Sequence, residues 1–407
     1  MADMLKFNEG TDSTYGGNIQ LHYALRKGLA AANAHRVFRQ FATQYPMKKN
    51  HGKEFKAWRK LHSYDRALND PEFAKKGFLT SRDLDKFSND IISNAVLAEG
   101  SSAGLQIGMD NVIFSTKLQN FGVKTTYTQD MLDFGSTYGL ADIKENLGHF
   151  VGELYEDLVQ KDMLATSNTM YPSVATSLAT MGEGVAADGS TDSEYRISYE
   201  FLKRAVAKLL KNRAKKQKGM ITGSTKINSV PCGDAYYCIA PMQVIADIID
   251  TVRIANNGKK EEFIFTPVHK YPENRISREG KRAEVCFGEV GTVQSGLMSI
   301  ALISSERMFK YEGQGADVPG GYTGNLANTD GKFDVFPILF IGEDSFATVG
   351  LIGRENIKFH EQTPEQALDM ENNAYGKKGF VSADFYYAGL ITKEECLIKG
   401  LVCASDV

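Results

Sequence analysis

The sequence has little of what marks secretion, disorder or membrane insertion. Among 407 residues there are only 10 prolines and 5 cysteines, and the formal net charge is −3. Scarce proline argues against long linkers, and the near-neutral charge argues against a dedicated nucleic-acid binder, which carries an evident basic excess. No apolar run approaches the ~18 residues of a membrane span, and no signal-peptide pattern opens the chain. We therefore expect a folded, globular protein that is made in the cytosol.

The few cysteines do not form a recognisable framework. They are odd in number and widely separated, and no pair has the close spacing of a zinc site. Because the cytosol is reducing and free cysteine usually packs as a small apolar residue, we predict that all of them are unpaired thiols. They are Cys232, Cys238, Cys286, Cys396 and Cys403.

The motifs of nucleotide binding and of hydrolysis are also missing. Neither a dinucleotide-binding glycine fingerprint nor a phosphate-binding loop occurs, and the zinc-protease and nucleophile-elbow patterns are absent. The 7 histidines are scattered without a pair at helical spacing, so surface or hydrogen-bonded roles are the simpler interpretation. We predict no catalytic residue, no cofactor and no metal site.

A long strand pattern is what the sequence does contain. From Val112 to Leu118 apolar or β-branched residues alternate with polar ones, and after Gly122 the alternation continues in the opposite phase. Such a phase change predicts a β-bulge or bend at this glycine. The aromatic stretch 52–64 predicts a second long strand, and the polar stretch between the two predicts an insertion. A two-stranded ribbon is marginal alone, so it needs something to lie on.

The strongest helix signal follows the ribbon. Apolar residues at helical spacing predict a helix over residues 139–163, about 37 Å long at 1.5 Å per residue. We predict that its core-facing stripe consists of Ile143, Leu147, Phe150, Leu154 and Leu158. Near the N-terminus, a weaker pattern predicts a helix over residues 20–45, after a glycine- and threonine-rich arm.

The rest of the chain predicts a mixed α/β region. An amphipathic helix is expected over residues 199–214, and a short apolar strand over 236–240 leads into a helix that begins at Pro241. Further strands are expected over residues 263–265, 297–303 and 335–341. No internal repeat or low-complexity segment is visible.

One charged feature is prominent. Eight cations fall within residues 203–218, namely Lys203, Arg204, Lys208, Lys211, Arg213, Lys215, Lys216 and Lys218. One interpretation is contact with a polyanion or an acidic partner surface. The simpler interpretation is a solvated helix face followed by a basic loop, and we give it about twice the weight of the first. No aromatic residues interleave with them, which argues against stacking on single strands. The candidate contact residues are Lys211, Arg213, Lys215 and Lys216.

Several short stretches carry a family resemblance. They are Leu97-Ala98-Glu99-Gly100, Asn120-Phe121-Gly122, Phe287-Gly288-Glu289-Val290-Gly291, and Val335-Phe336-Pro337 leading to Ile341-Gly342-Glu343-Asp344-Ser345-Phe346. In this order, with an arm, a ribbon, a long helix and a mixed α/β region, the chain resembles the major capsid proteins of tailed bacteriophages. Within them it is most similar to the short-tailed Schitoviridae-type phages. The resemblance extends from about Gln20 to the C-terminus.

The resemblance implies an α+β architecture, the HK-97-like fold that tailed-phage and herpesvirus capsids share. Its parts would be an N-terminal arm over residues 1–24, the start of a peripheral domain over 25–50, and an extended β-ribbon loop with an insertion over 51–128. Residues 129–198 would continue the peripheral domain with a long spine helix. Residues 199–345 would form an axial domain, and 346–407 the peripheral return and the C-terminus.

The resemblance also implies a structural role without catalysis. Hexamers and pentamers of the chain would tile an icosahedral virion shell around double-stranded DNA, after assembly in the host cytoplasm. Scaffolding, portal and decoration proteins are further implied partners, and no membrane is involved. The ribbon would lie on an adjacent subunit, with Phe55, Trp58, Phe114, Leu118, Phe121 and Gly122 as its candidate contact residues.

Two other function classes remain open from the sequence. A soluble α/β enzyme would place Cys232, Asp234 and Cys238 beside the helix N-terminus at Pro241, where anions bind well. A different structural protein, such as a tail, decoration or surface-layer subunit, is the third interpretation. Electron microscopy of the expressed protein separates the three, because shells, compact monomers and tubes or flat lattices differ in appearance.

Overall fold

The computed structural model describes most of the chain from residue 37 onward. The described residues are 37–50, 52–60, 84–97, 99–100, 104–105, 111–134, 140–172, 174–217, 235–257, 264–268, 286, 288–295, 298–353, 357–364, 366 and 373–406. The predicted N-terminal arm, much of the predicted insertion, Lys218, Cys232 and Asp234 lie outside them.

Sixteen strands and six α-helices are found in this part of the chain. The strands are β1 (Thr43–Met47), β2 (Glu54–Lys60), β3 (Asn111–Lys117), β4 (Gln119–Thr128), β5 (Thr169–Met170), β6 (Tyr236–Ala240), β7 (Ile264–Pro267), β8 (Glu289–Ser295), β9 (Met298–Ser304), β10 (Asn328–Thr329), β11 (Lys332–Phe333), β12 (Phe336–Ile341), β13 (Phe346–Leu351), β14 (Lys358–Gln362), β15 (Lys378–Ile391) and β16 (Leu397–Val402). The helices are α1 (Leu84–Lys86), α2 (Ser93–Ala95), α3 (Gln129–Phe134), α4 (Leu140–Leu164), α5 (Tyr199–Lys211) and α6 (Met242–Asn257). A π-helical turn, Phe87–Ile92, joins α1 to α2.

A seven-stranded sheet forms the larger layer, in the order β5-β16-β12-β6-β9-β8-β7. Strands β6 and β9 are parallel, and α6 lies in the connection between them. Helices α5 and α6 cover one face, where Phe201, Leu209 and Ile245 join the core. The predicted strand 236–240 and the predicted helix after Pro241 occur as β6 and α6. The chain end supplies β16 to this sheet, antiparallel to β12.

A five-stranded sheet forms the second layer. Its order is β1-β13-β15-β14, and β4 also pairs with the long strand β15. The antiparallel pairing of β4 with β15 runs without interruption from Gln119↔Tyr387 to Thr128↔Lys378. Gly122 is paired regularly opposite Asp384 within it, so the predicted bulge at this glycine is wrong. The break between β3 and β4 comes at Leu118, because there the chain leaves one strand partner for another.

Helix α4 packs between the two sheets and corresponds to the predicted long helix. Its buried positions recur every four residues, at Ile143, Leu147, Val151, Tyr155, Val159 and Met163. They share one core with inward side chains of both sheets, including Tyr237, Leu339 and Phe385. Leu154 and Leu158 are only partly buried against this core. Phe150 is 56% exposed, so the prediction that it belongs to the core stripe is wrong.

The described start of the chain is held on α4 and is not part of a long helix. Phe38 and Phe41 are buried, and the 3-10 turn Arg39–Phe41 leads into β1. The backbone N–H groups of Phe38 and Arg39 donate hydrogen bonds of 2.8 and 3.3 Å to Glu156 of α4. The predicted helix over residues 20–45 is therefore wrong for its last part, because strand pairing with β13 takes residues 43–47.

Candidate assembly interface

A two-stranded ribbon, β2 with β3, has the greatest exposure of large apolar side chains among the paired strands discussed here. The strands are antiparallel, with Trp58 opposite Ile113 and Ala57 opposite Phe114. Because side chains alternate along a strand, the ribbon has two distinct faces. Phe55, Ala57 and Arg59 lie on the half-buried face, and Trp58 lies on the exposed one. We call these the inner and the outer face of the ribbon.

The inner face is fastened to the body of the same chain. Phe55 packs against a small cluster that includes Met47, Leu118 and Val349, and its ring lies 5.9 Å from that of Tyr45. Arg59 makes a two-pronged ion pair with Glu395, with Nη–Oε distances of 2.6 and 3.1 Å. Both side chains are mostly buried, where such bidentate pairs are geometrically selective. The described strands of the ribbon are thus held on the body through Phe55 near one end and Arg59 near the other.

The outer face is apolar at its centre and cationic around it. Trp58 is 64% exposed and its partner Ile113 is 69% exposed. Lys56, Lys60 and Lys117 occupy neighbouring exposed positions, against the single acid Glu54. The Lys60 ammonium lies 6.0 Å from the centre of the Trp58 ring. A contiguous apolar pair with a charged rim is typical of a contact surface, whereas scattered exposed apolar residues are ordinary.

The structure divides the six predicted ribbon residues into three groups. Phe55, Trp58 and Phe114 lie on the ribbon, although only Trp58 faces outward. Leu118 is buried at the junction with β4. Phe121 and Gly122 belong to β4 in the five-stranded sheet, where the Phe121 ring stacks 5.7 Å from that of Phe385. Their assignment to the ribbon is therefore wrong, because β4 finds its partner in the distant strand β15. Ile113 was not among the predicted contact residues. Because it follows Val112, which lies on the inner face, the alternation along the strand places it on the outer face.

The basic run lies on the outer side of α5 and in the loop that follows. The apolar side of this helix is buried, and Ser198 caps its start by accepting from the Phe201 N–H. Lys211, Arg213 and Lys215 are exposed and Lys216 is half-buried. Arg213 has a positive φ of 56°, which ends the helix and turns the chain. The structure therefore gathers the four candidate contact residues at one end of α5.

The chemistry required by the enzyme interpretation is not assembled in the described residues. Cys238, Cys396 and Cys403 are buried free thiols, and Cys286 is half-buried. Burial raises the pKa of Cys238 far above its usual range and that of Cys396 and Cys403 to about 12, so these thiols are not nucleophiles at neutral pH. Within the same described part, no three metal-ligating side chains come together. Nor does any helix there combine the length and hydropathy needed to cross a membrane.

Comparison with known proteins shows which of them resemble this chain in sequence and in fold. The chain is 26% identical over 420 residues to the major capsid protein of Pseudomonas phage KPP21, with 97% of this chain and 96% of that protein covered. The capsid of Ralstonia phage GP4 has the same fold, with a TM-score of 0.50, 11% identity and coverage of 91% and 89% of the two chains. The chain is therefore similar over nearly its whole length to a phage major capsid protein. The capsid of cyanophage P-SCSP1u is also similar, at a TM-score of 0.47, 12% identity and 89% and 87% coverage. No family model matches the chain.

This similarity favours one of the interpretations that the sequence left open. The chain has the HK-97-like α+β fold of tailed-phage capsids and acts as a structural subunit of a phage head. It is not an enzyme. Its partners are further copies of itself in a multimeric shell, and its place is the virion capsid.

Proposed function

We propose that this capsid subunit forms hexamers and pentamers that tile an icosahedral shell around double-stranded DNA, with assembly in the host cytoplasm. The observation that carries the proposal is the outer face of the ribbon, where Trp58 and Ile113 expose an apolar pair on an element fixed to the body. Burying such a pair against a second copy removes apolar surface from water, which favours association. Scaffolding, portal and decoration proteins would join this shell as separate chains.

Removing the ribbon is expected to leave a folded subunit that does not assemble. The Leu118 N–H donates to the Lys53 carbonyl at 2.8 Å, so a short glycine-serine linker can join these residues after deletion of 54–117. Circular dichroism and sedimentation of the variant check folding and assembly.

A milder variant, Trp58→Ser with Ile113→Ser, leaves the Arg59–Glu395 pair intact and is expected to lose shells as well. Normal shells from either variant would contradict the role of the ribbon.

We also propose that the basic run contacts phosphate or a neighbouring subunit without recognising base sequence. Cations without interleaved aromatics attract phosphates or carboxylates through charge, which salt screens and which carries no base information. Both locations fit the exposed end of α5: the inner shell surface near packaged DNA, or a seam with an acidic surface of a neighbour. A simple solvated face is the remaining alternative.

Charge reversal separates these locations. Lys211→Glu with Lys215→Glu and Lys216→Glu reverses the run and spares Arg213, whose positive φ would add backbone strain to the test. Loss of shells with intact subunits is expected for the seam, and normal shells that package DNA poorly are expected for the inner surface. Lys358→Glu, an exposed position on β14, is the control. Survival of both assembly and packaging would show a solvated face and remove the proposal.

A further inference from the structure

The five-stranded sheet has a gap along one edge of its long strand β15. On this edge β13 is the partner of β15 as far as Ala388, and β14 is its partner from Asp384 onward. Among the described residues, the segment 385–387 between these points therefore has a strand partner only on the β4 side. Crevices that open where neighbouring strands diverge are common places for ligands.

A cavity of about 240 Å³ lies beside this gap. Thr348 and Gly350 of β13, Tyr386 of β15 and Tyr155 of α4 form its walls. We call it the Arg39 cavity, because Arg39 closes it on the side of the chain segment before β1. Its volume equals about eight waters at roughly 30 Å³ each, so an occupant must be a small molecule.

The charge of this cavity is positive. Arg39 is the single charged side chain among the described residues that line it, and its guanidinium lies 4.5 Å from the centre of the Tyr155 ring. No carboxylate of the described residues lies within ion-pair distance of this guanidinium. The nearby Glu156 carboxylate accepts instead from the backbone N–H groups of Phe38 and Arg39. A half-buried guanidinium favours an anion, and its planar fork matches a carboxylate with two parallel hydrogen bonds.

The remaining walls suit the apolar body of a ligand. The rings of Tyr45, Tyr155 and Tyr386 offer flat apolar surface with a hydroxyl group at the edge. Gln44 and Tyr45 of β1 are exposed and form the rim. A few polar groups among apolar walls are the usual composition of a site for a small molecule.

We propose that the Arg39 cavity binds a small organic acid, whose carboxylate pairs with the Arg39 guanidinium while its apolar body lies against the tyrosine rings. The bound acid joins the segment before β1 to α4 and β13, which are distant in sequence. A ligand that binds only the folded subunit stabilises it by mass action. The cavity lies outside the outer face of the ribbon and the basic run, so the proposal stands independently of the proposed shell function.

Three probes test the chemistry of the site on the full chain. They are benzoate, its uncharged analogue benzyl alcohol, and inorganic phosphate as an anion without a ring. Saturation-transfer NMR measures binding, and thermal unfolding measures stabilisation. Benzoate is expected to bind with a Kd of about 1 mM and to raise Tm, whereas the other two probes bind about tenfold more weakly. Absence of benzoate binding at about 20 mM, or equal binding of either other probe, would overturn the proposal.

Two arginine variants locate the site. Arg39→Met keeps an apolar stem on the Tyr155 ring and removes the charge, so it is expected to weaken benzoate binding about tenfold. Arg204→Met is the matched control, because the Arg204 guanidinium also lies over a ring, 5.8 Å from the centre of Phe201, but on α5. The control is expected to bind benzoate as wild type does. Equal affinities of the two variants would refute the assignment.

A rim variant keeps the test decisive if Arg39→Met does not fold. Gln44 is exposed on β1, so Gln44→Glu leaves the core unchanged and adds a carboxylate that competes with the ligand for Arg39. It is expected to weaken benzoate binding several-fold, whereas Gln44→Met is expected to bind as wild type does. Circular dichroism checks the fold of each variant. Benzoate binding by Gln44→Glu that is as tight as that of wild type would show that the acid lies elsewhere.

Discussion

Replacing Lys144 by alanine is expected to destabilise the unassembled subunit by about 3–5 kcal/mol. The Lys144 ammonium is fully buried in α4, and it lies 2.7 Å from Glu361 of β14, whose side chain is 11% exposed. Removing one partner leaves the other charge desolvated without compensation, which costs far more than the net contribution of an intact pair. Guanidinium unfolding of the variant and of wild type gives the difference in free energy.

The matched variants separate loss of the pair from loss of packing. Lys144→Met with Glu361→Gln removes both charges while keeping side-chain volume, and it is expected to be much closer to wild type in stability. Lys161→Met changes an exposed lysine of the same helix and is expected to stay within about 0.5 kcal/mol of wild type. An alanine variant as stable as the Lys161 control would contradict the importance of the pair.

Replacing Glu156 by glutamine is expected to stabilise the subunit at pH 8 and to have little effect at pH 5. Glu156 is 4% exposed, and burial raises the pKa of its carboxyl to about 7, against the opposing effects of the Phe38 and Arg39 N–H groups and the Arg39 charge. The folded protein therefore binds a proton between pH 4.5 and 7 that the unfolded chain releases. Across this range the stability contribution of Glu156 falls as pH rises, by about 3 kcal/mol in total.

The glutamine side chain is neutral at every pH and retains an oxygen that accepts from Phe38. The stability difference between Glu156→Gln and wild type should therefore grow from pH 5 to pH 8, and taking this difference cancels the titration of other groups. Glu156→Leu removes the acceptor and should be less stable than Glu156→Gln at both pH values, because the Phe38 N–H loses its partner. A difference between the glutamine variant and wild type that does not change with pH would refute the raised pKa.

Local patterns predicted several elements closely. The apolar strand before Pro241 occurs as β6 over Tyr236–Ala240, and the predicted helix over 139–163 occurs as α4 over Leu140–Leu164. The two strands of the ribbon were also predicted, with Trp58 on one of them, and the structure shows that they are antiparallel. The type of each single helix or strand depends on residues within a few positions of one another, so periodicity and composition suffice to predict it.

The exposed surface of α4 could be predicted only in part. Phe150 was assigned to the core because its spacing from Ile143 and Leu147 is helical, yet it is exposed. In the structure the buried positions recur every four residues, so the buried stripe advances about 40° around the helix axis at each step. It winds in this way because α4 packs against two sheets, and no local pattern shows where those sheets lie.

The sequence by itself determined most element types, the absence of a recognisable catalytic motif and, through its ordered motifs, the resemblance to capsid proteins. Tertiary structure alone decided which strand pairs with β4 and which apolar side chains stay exposed. Strand β4 continues the alternation of β3, but it leaves the ribbon at Leu118 to pair with β15, more than 250 residues further along the chain. Alternation tells which side chains share a face, and it does not say which strand covers that face. Pairing and burial depend on contacts between distant residues, and these exist only once the chain has folded.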